Sequence, residues 1–233
     1  MTQVKFCGIT NLEDAQRAAD LGAWAIGLIF WPGSRRRCSF PAAAEIAAAL
    51  RRRVEVVGVF VNPSLDDLTR RAEDVGLTML QLHGDEGPAF CAEAARRTGC
   101  RVIKAVRVRS RAEIQGLASF HTDFHLLDSY APGHPGGTGE VFAWELARGH
   151  RGPVPLILSG GLRPENVAEA ISVVGPYAVD VASGVEREPG VKDPGKLEAF
   201  MQEVGKAGPH AAPPGRVHAP VRRSAHARTG TSS

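Results

Sequence analysis

Residues 155–184 read PLILSGGLRPENVAEAISVVGPYAVDVASG. A short apolar run, Pro155–Leu158, ends in Ser-Gly-Gly. A longer segment, Arg163–Ser172, follows with apolar residues at helical spacing, opened by Pro164. A second β-branched run, Ala178–Val181, then ends in Ala-Ser-Gly. Strand, helix and strand in this order form one β-α-β unit, whose two strands lie parallel. The unit recurs on the N-terminal side. Strands are expected at Val4–Cys7, Ala25–Phe30, Glu55–Val61, Met79–Leu82, Val102–Val106 and Phe124–Asp128. Helices are expected at Asn11–Leu21, Pro41–Arg52, Ser64–Val75, Gly87–Arg97, Ser110–Ala118, Phe142–Arg148 and, after the last strand, Pro194–Val204. Asn11 and Ser64, each followed by acidic residues, and Pro41 and Pro194 mark helix starts. From Cys7 to Asp180 successive strand ends fall about 25 residues apart, which predicts a single closed (β/α)8 TIM barrel of the α/β class. An open doubly wound sheet would normally carry G-x-G-x-x-G after its first strand, and CGIT stands there instead.

The chain has 233 residues, 43% hydrophobic and 23% charged, enough to bury one sizeable core. The expected division is a barrel over residues 1–207 and a tail over 208–233. The tail holds four Arg, four Pro, three His and no acidic or aromatic residue, a composition expected to stay disordered. Without its four Arg the formal charge of +3 becomes −1, so the body offers no footprint for nucleic acid. Cys7, Cys38, Cys91 and Cys100 show neither metal-ligand spacing nor a disulfide framework, and Cys38, Cys91 and Cys100 read as packing residues. With no export signal or membrane span visible, a reducing, cytoplasmic setting is expected.

Barrel chemistry sits where strands end. Glycine-rich turns follow strands seven and eight, the usual phosphate-binding pair, which makes Gly160, Gly161, Ser183 and Gly184 phosphate candidates. Cys7 and Asp128 end strands one and six, nearly across the mouth from each other, where an acid and a base could shuttle protons at a sugar carbon. Cys7 could equally be a small buried hydrophobe. By alternation Lys5 shares the inward face with Cys7, and neighbouring strand eight carries Asp180, so an internal Lys5–Asp180 ion pair is expected ahead of a Schiff-base role for Lys5 or Lys104. His83 is a ligand contact or a structural histidine. One of Arg35, Arg36 and Arg37 could reach an anion at the mouth. Loop six, over 131–142, suits a mobile cover or a further ligand contact, and equally a plain surface loop.

Seven segments, KFCGIT, GLIFWPGSRRRCS, VGVFVN, LQLHGDE, LLDSYAPGHPGGTGEVFAW, LILSGGLRPENV and VDVASGVEREPGVKD, occur in this order. In that order the chain resembles the phosphoribosylanthranilate isomerases of tryptophan biosynthesis, over about residues 3–204. The resemblance implies an Amadori rearrangement of N-(5′-phosphoribosyl)anthranilate with no metal or organic cofactor. It makes Cys7 the general base and Asp128 the general acid. It places Arg36 near the anthranilate, His83 and Asp180 in the active site, and phosphate at Gly160, Gly161, Ser183 and Gly184. The implied partner is the small-molecule substrate alone, with no nucleic acid or membrane, for a monomer or homodimer. Arg35 stands where the family often has proline and Ala182 where it often has serine. The related isomerase of histidine biosynthesis and a non-catalytic phosphate-ligand barrel are the alternatives. Such histidine-pathway enzymes use Asp at the end of strand one, where this chain has Cys7.

Overall fold

The computed structural model describes residues 1–128 and 144–207. Loop six and the tail over 208–233 lie outside the described residues. Eight parallel strands, β1 (Gln3–Cys7), β2 (Ala25–Ile29), β3 (Glu55–Phe60), β4 (Met79–Leu82), β5 (Arg101–Arg107), β6 (Phe124–Asp128), β7 (Leu156–Ser159) and β8 (Ala178–Val181), close into a barrel in sequence order. Closure is made by β1 against β8, with Lys5 in register with Asp180. Around it run α1 (Leu12–Asp20), α2 (Phe40–Leu50), α3 (Leu65–Val75), α4 (Pro88–Thr98), α5 (Arg111–Gly116), α6 (144–147), α7 (Val167–Val174) and α8 (Pro194–Lys206). No helix among the described residues is long and apolar enough to cross a membrane.

Several helix starts have a local cause. Asn11, Ser64 and Asp193 accept from the backbone N–H three residues on, and Ser110 forms a reciprocal capping box with Glu113. Gly76, Gly99 and Gly175 end α3, α4 and α7 in left-handed geometry. One local expectation needs correction. Helix α7 starts at Val167, not Arg163, because the Asn166 side chain accepts from Arg163 N–H and donates to Gly161 C=O, holding 161–166 as a turn. After β8 the chain forms an unforeseen hairpin, β9 (Glu186–Glu188) and β10 (Val191–Lys192).

Alternation along the strands sorts the core into two layers. Phe6, Ile26, Leu28, Val56 and Leu80 face the helices, whereas Ala25, Val57, Met79, Ile103, Ala105, Leu126 and Ile157 fill the barrel. Trp24, Phe124 and Tyr177 close one end with ring centroids 5.3–5.6 Å apart. Polar strand residues gather at the other end.

On the outer layer His125 Nε2–H donates to Phe120 C=O, which leaves Nδ1 to accept from His150 Nε2–H at 3.0 Å. Burial pushes the His125 pKa down from 6.5 to about 4. The unfolded chain therefore binds this proton below pH 6.5 while the folded chain refuses it until about pH 4, so stability drops as pH falls through that window. The loss reaches about 3 kcal/mol at the acid end. A melting-temperature series from pH 7 to 4 is expected to fall, and His125→Asn to flatten it; equal slopes would assign the loss to other groups.

Candidate active site

The polar end of the barrel holds Cys7, His83, Asp128, Ser159 and Asp180 together. β1 and β6 are three strands apart around the ring, which puts Cys7 and Asp128 on facing walls. Cys7 is 6% exposed. Its neighbour on β2 is Gly27, where a Cβ would come within 2.8 Å of the Cys7 sulfur. No larger residue fits beside the thiol. Burial raises the Cys7 pKa above the usual thiol range, the Lys5 ammonium working against it, Asp180 with it and Lys192 against it.

Lys5 and Asp180 form the expected ion pair at 2.6 Å. Both oxygens of Asp180 are engaged, Oδ1 by Lys5 and Oδ2 by the Ser159 hydroxyl at 3.1 Å. Asp180 is thus a buried support beneath the mouth. Burial, the largest influence, would lower the Lys5 pKa, but Asp180 and Cys7 together outweigh it and raise it. Lys104 is not available as an amine nucleophile, since it points outward to Glu86 Oε2 at 2.9 Å and Gly84 C=O at 2.7 Å.

On the facing wall His83 Nε2 stands 3.5 Å from Asp128 Oδ2, and His83 Nδ1 lies 3.3 Å from the Gln81 amide. With Gln81 donating to Nδ1, the imidazole proton resides on Nε2, on the side of the carboxyl but without a hydrogen bond to it. The Asp128 and His83 side chains are 19% and 20% exposed, open to a ligand entering the mouth.

Arg36, of the three consecutive arginines, turns inward. Its Nε and Nη2 engage the Glu186 carboxylate at 2.8–2.9 Å. Its stem lies over Gly8, where a Cβ would be 2.8 Å from Arg36 Cδ. Glu186 also receives Lys192 Nζ, whose other bonds go to Cys7 C=O at 2.7 Å and Ala182 C=O at 3.0 Å. Burial would raise the Glu186 pKa, but the bond from Arg36 and the charge of Lys192 hold it low. Glu186, Lys192, Gln81 and Asn166 were not singled out from the sequence.

Gly160 and Gly161 both adopt positive φ, at 95° and 66°, turning the chain sharply after β7. Ser183 and Gly184 begin a single 3₁₀ turn after β8. A Cβ on Gly184 would strike the Leu162 carbonyl, so the two glycine turns are in contact. The four phosphate candidates therefore lie side by side at the mouth.

The family model for N-(5'phosphoribosyl)anthranilate (PRA) isomerase matches residues 4–203. The N-(5'-phosphoribosyl)anthranilate isomerase of Citrifermentans bemidjiense is 48% identical over 206 residues, 88% of this chain and 98% of that protein. The crystal structure of phosphoribosyl anthranilate isomerase from Thermotoga maritima superposes with a TM-score of 0.78 at 41% identity, covering 88% of this chain and all of that one. A phosphoribosyl anthranilate isomerase crystallised with reduced 1-(o-carboxyphenylamino)-1-deoxyribulose 5-phosphate superposes at 0.76, with 39% identity and the same coverage. With one family matched across the barrel, the chain belongs to the N-(5′-phosphoribosyl)anthranilate isomerases.

Proposed function

We propose that this barrel converts N-(5′-phosphoribosyl)anthranilate into 1-(2-carboxyphenylamino)-1-deoxyribulose 5-phosphate, with Asp128 as general acid and Cys7 as general base. The observation that carries the assignment is the placement of a thiol and a carboxyl on facing walls of one mouth, within a family of that activity. Protonated Asp128 gives its proton to the ring oxygen as the C1–O bond breaks and the anthranilate nitrogen forms an iminium. Cys7 thiolate takes the proton from C2, and the bonding electrons flow to nitrogen to give an enolamine. Proton return to C1 and loss of the O2 proton give the ketone. The substrate nitrogen is the electron sink, so no enzyme amine is needed. Arg36, oriented by Glu186, offers its remaining N–H groups to the anthranilate carboxylate. Cys7 is a free thiol, the state the reaction requires and a reducing cytoplasm preserves.

The phosphate is assigned to Gly160, Gly161, Ser183 and Gly184, whose main-chain N–H groups lie at adjacent strand ends. Holding the remote phosphate places C2 over the thiol. Gly161→Val meets positive φ and Gly184→Val meets the Leu162 carbonyl. Each is expected to raise KM at least about tenfold, with weaker inhibition by inorganic phosphate in parallel. Unchanged KM and phosphate inhibition in both would move the phosphate elsewhere. Fluorescence-monitored turnover of freshly prepared phosphoribosylanthranilate by the purified protein tests the activity itself, and no turnover would leave the non-catalytic binder.

A further inference from the structure

Lys5 is wholly buried inside the barrel, on the same face of β1 as Cys7 and one step beneath it. The proton transfers described above give it no task. Stability does not demand it either, since a buried ion pair is commonly replaceable by apolar side chains at no loss. Its surroundings instead direct it at the thiol. A Cβ on Gly27 would lie 3.1 Å from Lys5 Nζ and 2.8 Å from Cys7 Sγ, so ammonium and sulfur share the small space that this glycine leaves. Its ammonium, held by Asp180 Oδ1 at 2.6 Å, sits beside the sulfur and favours the thiolate by its charge. One residue from each of three adjacent strands thus forms a line towards Cys7: Ser159 donates to Asp180, Asp180 accepts from Lys5, and the Lys5 ammonium shares its space with the sulfur.

The other charged groups at the thiol have different duties. Asp180 opposes the thiolate but keeps Lys5 protonated where burial would strip its proton. Lys192 places its ammonium on Cys7 C=O, Ala182 C=O and Glu186, pinning the ends of β1 and β8. Lys5 is the ammonium that shares the space beside Gly27 with the reacting atom.

We propose that Lys5 is a positioning residue for the isomerisation, its Asp180-held ammonium stabilising the Cys7 thiolate and fixing where its lone pair points. This rests on Cys7 being the base. Replacing an ammonium by a neutral group of similar length removes the nearest positive charge from the sulfur, so the thiolate form becomes scarcer at any given pH.

The test uses Lys5→Met and the double variant Lys5→Met/Asp180→Asn, which leaves no buried carboxylate uncompensated. Peptide-resolved alkylation of Cys7 by iodoacetamide across pH 6–11 reads the thiolate directly. Both variants are expected to need higher pH, with alkylation near pH 8 slowed at least about tenfold in Lys5→Met and less in the double variant, which also loses the opposing Asp180 charge. Turnover should fall by a similar factor in kcat with KM little changed, and the alkaline limb of kcat/KM should move to higher pH. A folded variant with the wild-type alkylation profile, or with its loss confined to KM, overturns the proposal. If neither variant folds, ¹⁵N-lysine NMR of the wild type decides. The Lys5 Nζ resonance should shift as Cys7 titrates and lose that inflection in Cys7→Ser, and an Nζ signal indifferent to Cys7 overturns the proposal. Near wild-type turnover by Cys7→Ser sinks the base assignment and the proposal with it, whereas an unchanged alkylation profile sinks the proposal alone.

Discussion

Replacing Cys7 with Ser lowers kcat by at least about 10²-fold while substrate binding survives. The two side chains are nearly isosteric, and Gly27 leaves room for either, so the mouth keeps its shape. A hydroxyl, however, is far too weak an acid for an ammonium such as Lys5 to hold as an oxyanion. The pH profile gives the sharper signature. The productive enzyme carries one proton in the catalytic pair, on Asp128 and not on Cys7. Activity therefore falls on the acid side, where both groups are protonated, and again on the alkaline side, where neither is. Burial raises the Cys7 thiol, so the inflection of kcat/KM that reports it is expected above the usual thiol range and should be absent in Cys7→Ser. A variant with near wild-type kcat and that inflection intact would make Cys7 a packing residue.

What the sequence discloses about this molecule follows from the reach of local pattern. Each barrel strand and its helix form within a window of about 25 residues, where apolar alternation and caps such as Ser64 and Ser110 act. Parity then carries inference across one strand boundary, which is how Lys5 and Asp180, 175 residues apart, are paired from the sequence alone. Beyond that the signal fails. Arg36 and Glu186 are 150 residues apart and both lie outside the regular strand pattern of the barrel. In sequence, a charge in a loop looks the same whether it faces water or a partner. The β9–β10 hairpin is equally hidden, because strands of three and two residues with charged side chains carry no alternation to detect. Asn166 is hidden for another reason. Within the apparent helix it reads as an ordinary polar residue, and only its two bonds across the turn show that the helix has not yet begun.

Asp128→Asn is expected to cost a similar factor in kcat, about 10²-fold, by a different failure. The amide retains the shape of the carboxyl and can still face His83 Nε2, which stands 3.5 Å from Oδ2 in the parent protein. It adds no charge to a side chain that is only 19% exposed, so folding and KM should change little. An amide donates a hydrogen bond but surrenders no proton, so the furanose ring oxygen leaves without protonation and ring opening becomes the slow step. Cys7→Ser instead leaves ring opening intact and blocks abstraction at C2. Substrate deuterated at C2 separates the two cases. Abstraction that follows a slow ring opening is masked, so Asp128→Asn should show a smaller isotope effect on kcat than Cys7→Ser. Should Asp128→Asn turn over at near wild-type rate, the proton for the ring oxygen must come from elsewhere. His83 is then the nearest titratable donor, and adding His83→Ala to the Asp128→Asn variant would abolish the remaining activity.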